Sequence, residues 1–285
     1  MPGSRKAAVR AVARSLTPAL LRISVGALGL VVFAVGLSWV QAHREQAVLD
    51  DAISAEIADP GAVLESIPAG TPLAKLTIGE LGLDGAVVVQ GTTSADLDSG
   101  LGHRRDSVLP GQTGVSVLYG RQSMFGAPFA DLAGLSAGDE IGVVTPDGSF
   151  TFTVDGVRRD GDPLPARAEG DTALVLVSAE GNPFRPTKSI YVDATLTDRE
   201  LAAGAVTEAA SLEAVGADET AMAADPGGWF TLVLWLQALV VALVAMSWTR
   251  HRLGRREALI MGLPALAAVM WNLYEAAFRL LPNLL

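Results

Sequence analysis

Short apolar runs, divided by Gly, Pro, Asp and Asn, fill the middle of the chain from about residue 68 to residue 196. Runs of this length and composition predict β-strands. The predicted strands span residues 73–78, 85–90, 115–119, 140–145, 149–157, 173–178 and 189–195. Many short strands without long intervening helices favour a mainly β fold, a closed or nearly closed barrel rich in antiparallel pairs.

Turn residues and two helix-like pieces connect these strands. Pro146-Asp147-Gly148 predicts a hairpin turn between two neighbouring strands. Short helices are predicted over residues 94–101 and 129–135.

Three longer apolar runs lie outside this region, at residues 23–40, 229–248 and 258–274. The first has 18 residues without a charge and the second has 20, with a tryptophan at each end. Runs of this length predict helices that cross the hydrocarbon core of a membrane, which is about 30 Å thick. Interfacial tryptophans support that interpretation.

The first run has a second interpretation, a cleaved signal peptide with Val40-Gln41-Ala42 as a faint cleavage pattern. The apolar region of a signal peptide has only about 7 to 15 residues. We therefore favour an uncleaved anchor.

A helical stalk is predicted after the first run. Leu49, Ile53 and Ile57 recur at four-residue spacing and give one apolar stripe, which we expect to rest on the β domain. Asp59-Pro60-Gly61 is expected to end the helix.

Residues 197–228 are rich in alanine and acidic, and predict either a weak helix over residues 207–215 or a flexible tether. In the third apolar run, Pro264 favours a kink, and Glu275 and Arg279 have the i,i+4 spacing of a helical ion pair. The C-terminal helical pair serves either as extra anchoring or as a docking surface for another membrane protein.

Charge is distributed unevenly, with a formal net charge of −10. Residues 41–228 hold 29 of the 31 acidic residues and 11 of the 21 basic ones. The basic N-terminus and the basic loop 249–257 are expected to face the cytoplasm, which places the acidic middle and the C-terminus outside the plasma membrane. An acidic middle argues against nucleic-acid binding.

The predicted organisation has eight parts, which are listed in chain order. They are a basic cytoplasmic N-terminus (1–22), transmembrane helix 1 (23–40), an extracytoplasmic stalk (41–67), the β-barrel (68–196), an acidic linker (197–228), transmembrane helix 2 (229–248), a basic loop (249–257) and transmembrane helix 3 (258–281).

The chain has no cysteine, which excludes disulfides, thiolate catalysis and zinc–thiolate sites. Its three histidines, His43, His103 and His251, lie far apart without metal-ligand spacing. We expect no metal and no cofactor.

Two motifs carry a family resemblance, Leu109-Pro110-Gly111-Gln112 and Gly126-Ala127-Pro128-Phe129, with an apolar strand and Gly120-Arg121 between them. This pattern resembles the sortases, which are membrane-anchored cysteine transpeptidases, and most closely the class E type. The resemblance covers roughly residues 68–196 and implies an eight-stranded barrel outside the cytoplasm.

The resemblance also implies a catalytic triad that this chain lacks. In sortases a cysteine thiolate attacks a sorting peptide, a histidine protonates the leaving amine, and an arginine holds the peptide and the oxyanion. The matching positions here are Ala179, Arg121 and Ser189, with Lys188 and Arg185 near the last. An arginine cannot exchange a proton in a normal cycle.

Other groove candidates are His103, Tyr119 and Ser178. A Ser178–His103 pair is a possible replacement nucleophile, but Ser178 precedes Ala179 on a strand and points to the opposite face. We expect His103 to be a surface or groove-lining residue. Arg121 is expected to pair with an acid such as Glu180, in preference to binding a ligand.

Three functional hypotheses remain after these arguments. The first is an inactive sortase-like protein that binds a sorting-signal-like peptide or another membrane or surface protein in cell-surface assembly. The second is an active transpeptidase or hydrolase with a relocated nucleophile. The third is a purely structural subunit of a membrane complex.

Overall fold

Eight strands close into one barrel in a computed structural model of the chain, which describes residues 24, 26–58, 67–168, 170–183, 185–201, 214–225 and 227–285. The strands are β1 (Pro72–Ile78), β2 (Leu83–Gln90), β3 (Leu101–His103), β4 (Gly114–Gly120), β5 (Glu140–Thr145), β6 (Gly148–Arg159), β7 (Thr172–Asn182) and β8 (Arg185–Leu201).

Their spatial order is β1-β2-β3-β4-β7-β8-β6-β5, and β5 pairs back onto β1 to close the barrel. Six of the eight pairings are antiparallel, whereas β2–β3 and β4–β7 are parallel. The prediction of a closed, antiparallel-rich barrel is confirmed.

The interior is filled by the inward-facing residues of the alternating strands, because successive strand side chains point to opposite faces. Leu174 and Leu176 of β7, for example, belong to the interior cluster with Val192 of β8. Val175 and Val177, one position along, belong to a second apolar cluster on the outer face. That outer face is where the candidate site lies.

All seven predicted strands are present, but β3 was not predicted. A single short helix over residues 94–101 was expected there, whereas the structure has a 3-10 turn at Asp96–Asp98 followed by strand β3. Gly102 of β3 pairs with Val89 and with Tyr119. A three-residue strand has no periodicity of its own, so these pairings with neighbouring strands decide its conformation.

The hairpin turn is confirmed, because β5 ends at Thr145 and β6 begins at Gly148, and these two residues pair. The helix predicted over residues 129–135 is reduced to a 3-10 turn at Leu132–Gly134.

Within the described part of the chain, three helices are long and apolar enough to cross a membrane: α1 (Gly26–Ile57), α2 (Gly228–Arg252) and α3 (Arg255–Phe278). Helix α1 contains a π-helical turn at Phe33–Leu37, and α-helical geometry resumes at Ser38. The predicted basic N-terminus, residues 1–22, lies outside the described residues.

The C-terminal half of α1 rests on the barrel. Ile53 of the predicted apolar stripe is buried, and Leu49 and Ile57 are half-buried. Gln46 binds the backbone of Val87 in β2 through both atoms of its amide, accepting from the N–H at 2.7 Å and donating to the carbonyl at 3.1 Å. The stalk therefore contacts the domain, as predicted. Its expected end at residues 59–61 lies outside the described residues.

The N-terminal half of α1 packs against α3 through Phe33. Its ring lies 5.1 Å from Trp271, 5.9 Å from Tyr274 and 5.6 Å from Phe278, measured between ring centroids. It also meets Phe125, from the loop after β4, at 6.4 Å. This aromatic cluster joins two candidate membrane helices to the barrel.

The region after the barrel is described in part. Strand β8 continues to Leu201, past the predicted end at residue 195, because β6 offers a partner as far as Gly148. The alternatives of a weak helix or a tether fall mainly on residues 202–213, outside the described residues. Residues 214–225 lie against the barrel, where Glu219 is buried and ion-paired with Arg105. The predicted Glu275–Arg279 pair is confirmed, at 2.6 Å.

Candidate functional site

The three positions singled out in the sequence meet at one end of the outer face. In the parallel β4–β7 pair Tyr119 lies opposite Val177. Two residues farther along come Arg121, just after the end of β4, and Ala179 of β7. Ala179 is in turn paired with Ser189 of β8. The topology therefore collects these residues from distant parts of the chain.

An apolar floor extends away from this end along β4, β7 and β8. Its residues are Val175, Val177 and Ala179 of β7, Tyr119 of β4 and Tyr191 of β8, which share one cluster outside the barrel core. We call this surface the groove. Burial raises the pKa of Tyr119, so its hydroxyl stays neutral at ordinary pH.

Arg121 turns away from solvent and is fully buried. Its Nη2 donates to Asp98 Oδ1 at 2.8 Å and to the carbonyl and hydroxyl of Ser94 at 2.8 Å and 3.0 Å. Its Nε donates to the carbonyl of Leu97 at 3.2 Å, and the guanidinium lies 4.8 Å from the ring centroid of Phe125. The side chain is satisfied by protein groups on every side.

The partner of Arg121 is therefore Asp98, and the expectation of Glu180 was wrong. Glu180 follows Ala179 on β7 and so points to the opposite face. There it pairs with Arg159 at 2.7 Å. No sequence signal indicated that Asp98 contacts Arg121, because the two residues are 23 positions apart. The turn at Asp96–Asp98 brings the carboxylate to Arg121.

Burial dominates the electrostatics of this pair. It raises the pKa of Asp98 to about 6, although Arg121 and Arg279 both act to lower it. Burial also lowers the pKa of Arg121, and Asp98 opposes that shift. Because an arginine remains protonated in proteins, Arg121 supplies a fixed charge and no proton exchange.

Ser178 lies inside the barrel wall, on the face opposite Ala179. It is fully buried, and its hydroxyl donates to the carbonyl of Gly120 at 2.9 Å. A hydroxyl held in this way does not reach the groove. Among the residues that the structure describes, no histidine approaches it within hydrogen-bonding distance.

His103 is buried in the barrel wall, so the expectation of a surface or groove-lining position was wrong. Its Nδ1 lies 2.8 Å from Gln90 Oε1, and its Nε2 lies 2.9 Å from the carbonyl of Val108. Burial lowers the pKa of His103 to about 4, so the ring is neutral at ordinary pH. Its contacts indicate a role in joining β2, β3 and the following loop.

The last three candidates lie around the start of β8. Ser189 is buried beside Ala179, and its backbone N–H donates to Asp160 Oδ2 at 3.0 Å. Lys188 alternates to the other face and is exposed, and Arg185 is exposed near the β7–β8 turn. Neither cation contributes to the floor of the groove.

The Ala179 end of the groove is covered by residues that sequence reasoning did not identify. Leu284, fully buried, joins the apolar cluster of Val177 and Ala179. The N–H of Gln122 donates to the carbonyl of Leu284 at 2.9 Å. Since Leu284 lies more than a hundred residues from Ala179, no local sequence signal indicates this contact.

The rest of the groove is an open cleft of about 420 Å³ between the strand floor and the loop at Leu164. Arg158 donates to Asp193 Oδ2 at 2.6 Å and lies 4.3 Å from the ring centroid of Tyr191. Arg167 lies 3.5 Å from Asp193 Oδ1. Sequence reasoning missed these polar residues, although the alternation of β8 places Asp193 and Tyr191 on one face.

The arrangement holds a peptide-sized apolar surface with cationic edges, and it holds no poised nucleophile and base among the described residues. The same residues contain no group of three or more His, Asp or Glu side chains placed to hold a metal ion.

Comparisons with known proteins return similar proteins for the barrel region. Residues 76–197 match the family model of the sortase domain. A comparison with curated proteins found no match.

Several solved sortase structures are similar to this chain. A sortase D5 transpeptidase of Clostridium perfringens is 17% identical, covering 54% of this chain and 99% of that chain, with a TM-score of 0.47. The SrtF sortase of Corynebacterium diphtheriae is 24% identical, covering 55% and 98%, with a TM-score of 0.44. Sortase E of Streptomyces avermitilis is 27% identical, covering 47% and 93%, with a TM-score of 0.41.

Proposed function

We propose that this protein is a membrane-anchored, extracytoplasmic sortase-like protein of class E type that has lost transpeptidase chemistry. It acts as a peptide- or protein-binding scaffold in surface-protein assembly. The observation that carries the proposal is the fully buried Arg121–Asp98 ion pair at the position where the resemblance expects a histidine.

Each chemical requirement of acyl transfer is missing at the matched positions. Ala179 offers no nucleophile, and Arg121 is neither exposed nor able to exchange a proton. Ser189 supplies no positive charge for an oxyanion. Turnover through Ser178 has no support either, because that hydroxyl is buried on the opposite face of β7.

The ends of the helices support the proposed membrane topology. The N–H of Asp225, just before α2, donates to the carbonyl of Arg279, just after α3, at 3.3 Å. Arg279 also lies 3.5 Å from Asp98 of the barrel region. Both outer ends of the α2–α3 pair therefore lie on the barrel side, and the basic loop 249–257 lies at the far ends of these helices. This agrees with a cytoplasmic loop and an extracytoplasmic barrel.

The open cleft supports a binding role. It combines the apolar floor of Val175 and Val177 with the cations Arg158 and Arg167, which share the single carboxylate of Asp193. An apolar floor with a few oriented polar groups is typical of ligand sites. The sortase family acts on sorting-signal peptides, so an extended peptide segment of a surface protein is the proposed occupant of this cleft.

A turnover assay tests the loss of chemistry. The full chain in detergent micelles is mixed with a fluorescence-quenched sorting-signal peptide and an amine acceptor, beside an active sortase. We expect no cleavage above the buffer rate, and Ser178→Ala should leave that result unchanged. Cleavage that disappears in Ser178→Ala would overturn the inactive assignment.

A photo-crosslinking experiment in the native host tests the scaffold role. A photoreactive amino acid replaces Leu164, which is 77% exposed at the rim of the cleft, or Leu201, which is 52% exposed and forms the matched control. We expect position 164, and not position 201, to crosslink to an exported surface protein identified by mass spectrometry.

A purely structural subunit is the second candidate, favoured by the burial of Leu284 in the groove. It predicts that neither position crosslinks to an exported protein and that crosslinks from α2 reach another membrane protein. That result would replace the scaffold role in surface-protein assembly.

A further inference from the structure

The residues after α3 occupy the Ala179 end of the groove in a turn, which the N–H of Leu285 closes by donating to the carbonyl of Pro282 at 3.0 Å. This segment, residues 281–285, reads Leu-Pro-Asn-Leu-Leu. Its side chains at positions 283, 284 and 285 are at most 2% exposed. Three consecutive buried side chains in an irregular segment require a site that is shaped to receive them.

Leu284 is the apolar anchor of the segment. It lies in the cluster formed by Leu97, Tyr119, Val177 and Ala179, where the small Ala179 leaves room beside the strand. A leucine removed from water among such side chains gains the full benefit of apolar burial.

Asn283 is the polar anchor. Its Nδ2 donates to the carbonyls of Thr92 and Thr220, at 2.9 Å and 3.0 Å. Its backbone N–H donates to the carbonyl of Ala223 at 2.7 Å. Two converging carbonyls match the two donors of an amide, whereas an aspartate here would place negative charge against both oxygens.

Backbone contacts fix the direction of the segment. Gln122, at the end of β4, donates its N–H to the carbonyl of Leu284 at 2.9 Å. Arg121 Nη1 donates to the carbonyl of Leu285 at 3.3 Å. One main-chain bond and one guanidinium bond thus hold the two carbonyls beside the pocket that receives the Leu284 side chain.

We propose that the 281–285 segment is an intramolecular peptide ligand, and that its site is a receptor that exchanges it for an external peptide of Leu-Pro-Asn-Leu-Leu chemistry. The inference deepens the proposed function, on which it rests, by naming the chemistry that the Ala179 end of the groove recognises. Because the segment is continuous with α3, occupancy of the site is coupled to the position of the membrane helices.

The tethered 281–285 segment competes with an external peptide for the same site. A segment attached to its own barrel has an effective concentration on the order of millimolar. A peptide at micromolar concentration therefore binds only when the tethered segment is weakened. Leu284→Asp weakens it by placing a charge in the apolar pocket.

The first experiment measures binding of a fluorescein-labelled, C-terminally amidated Leu-Pro-Asn-Leu-Leu peptide to the full chain in detergent micelles. Fluorescence anisotropy should show saturable binding to Leu284→Asp and at least tenfold weaker binding to the unaltered chain. The scrambled peptide Leu-Asn-Leu-Pro-Leu should not bind. Leu201→Asp, the same change at an exposed leucine, should behave like the unaltered chain.

Two outcomes would overturn the inference. Equal binding to the unaltered chain and to Leu284→Asp would show that the segment does not compete. No binding to a folded Leu284→Asp chain would show that the site is no exchangeable receptor. In that second case the proposed function is still tested separately, by the turnover assay and by photo-crosslinking from position 164.

A second measurement does not depend on Leu284→Asp folding. The chain has no cysteine, so Gln122→Cys with Leu284→Cys introduces the only two thiols. Residues joined by a backbone hydrogen bond lie close enough for a short thiol crosslinker. We expect intramolecular crosslinking that excess Leu-Pro-Asn-Leu-Leu peptide reduces and the scrambled peptide does not. Crosslinking that is absent, or insensitive to the peptide, contradicts the proposal.

Discussion

Asp98 Oδ1 lies 2.8 Å from Arg121 Nη2, with both side chains removed from solvent. Arg279, just beyond α3, lies 3.5 Å from the second carboxylate oxygen of Asp98. One carboxylate thus connects the end of β4, where the resemblance expects a catalytic histidine, with a candidate membrane helix. Its chemistry leads to the first two predictions below, and the contacts of α1 lead to two more.

Removal of Asp98 should destabilise the protein strongly. Asp98→Ala leaves Arg121 buried without its counter-charge, and breaking a buried pair in this way costs about 3–5 kcal/mol. Urea unfolding of the full chain in detergent, followed by circular dichroism, measures the loss. Glu180→Ala breaks the exposed pair with Arg159 and is the control. A loss no larger in Asp98→Ala than in Glu180→Ala would contradict the assignment.

The pH dependence of stability should reveal two opposing groups. The pKa of Asp98 is raised from 3.8 to about 6 in the folded protein, so its contribution to stability grows as pH falls from about 6 to about 4. The pKa of His103 is lowered from 6.5 to about 4, so its contribution is lost as pH falls over the same range. The two effects therefore oppose each other.

Single variants separate these two contributions. Asp98→Asn should become more sensitive to acid between pH 6.5 and 4, and His103→Gln should gain stability as the pH falls. Thermal unfolding midpoints at several pH values, each compared with the same variant at pH 7, provide the measurement. Parallel curves for the two variants would show that neither group titrates as stated.

The contact between α1 and the barrel should depend on Gln46. Its amide satisfies the N–H and carbonyl of Val87 and donates to the carbonyl of Ser99 at 2.6 Å. Gln46→Ala leaves these partly buried groups unpaired, at about 1–3 kcal/mol for each such group. Hydrogen exchange at the Val87 amide should accelerate. Gln41→Ala, which removes an amide that donates to Glu45 on the same helix, should leave it unchanged.

The packing of α1 on α3 should be sensitive to one added methyl group. A Cβ at Gly29 would overlap the hydroxyl of Tyr274, which donates to the carbonyl of Gly26 at 2.9 Å. Gly29→Ala should therefore lower the unfolding temperature, and adding Tyr274→Phe should recover part of the loss. Gly36→Ala meets no atom within 4 Å and is the control.

Tryptophan fluorescence of the full chain reports this transition, because Trp271 lies in the same cluster. If the double variant is less stable than Gly29→Ala alone, then the overlap with the hydroxyl is not the cause.

Sequence patterns were sufficient wherever the determining interactions are local. Apolar runs and turn residues predicted seven of the eight strands, and the four-residue stripe of Ile53 predicted the face of α1 that rests on the barrel. Strand alternation also assigned Ser178 and Ala179 to opposite faces, which only requires that successive side chains point apart. Charge and length indicated three membrane-crossing helices.

Tertiary structure decided the contacts made by residues that are distant in the sequence. Strand β3 forms because β2 and β4 pair with it on either side. Arg121 pairs with Asp98 because the turn places that carboxylate beside it, whereas the alternation of β7 directs Glu180 to the opposite face. Leu284 reaches the groove only after two candidate membrane helices return the chain to the barrel. The sequence by itself determined the longer elements and the absence of a thiol, since these depend on residue type and local periodicity. Which groups meet in the groove depended on the closed barrel, because hydrogen bonding and apolar burial act between surfaces that only the fold brings together.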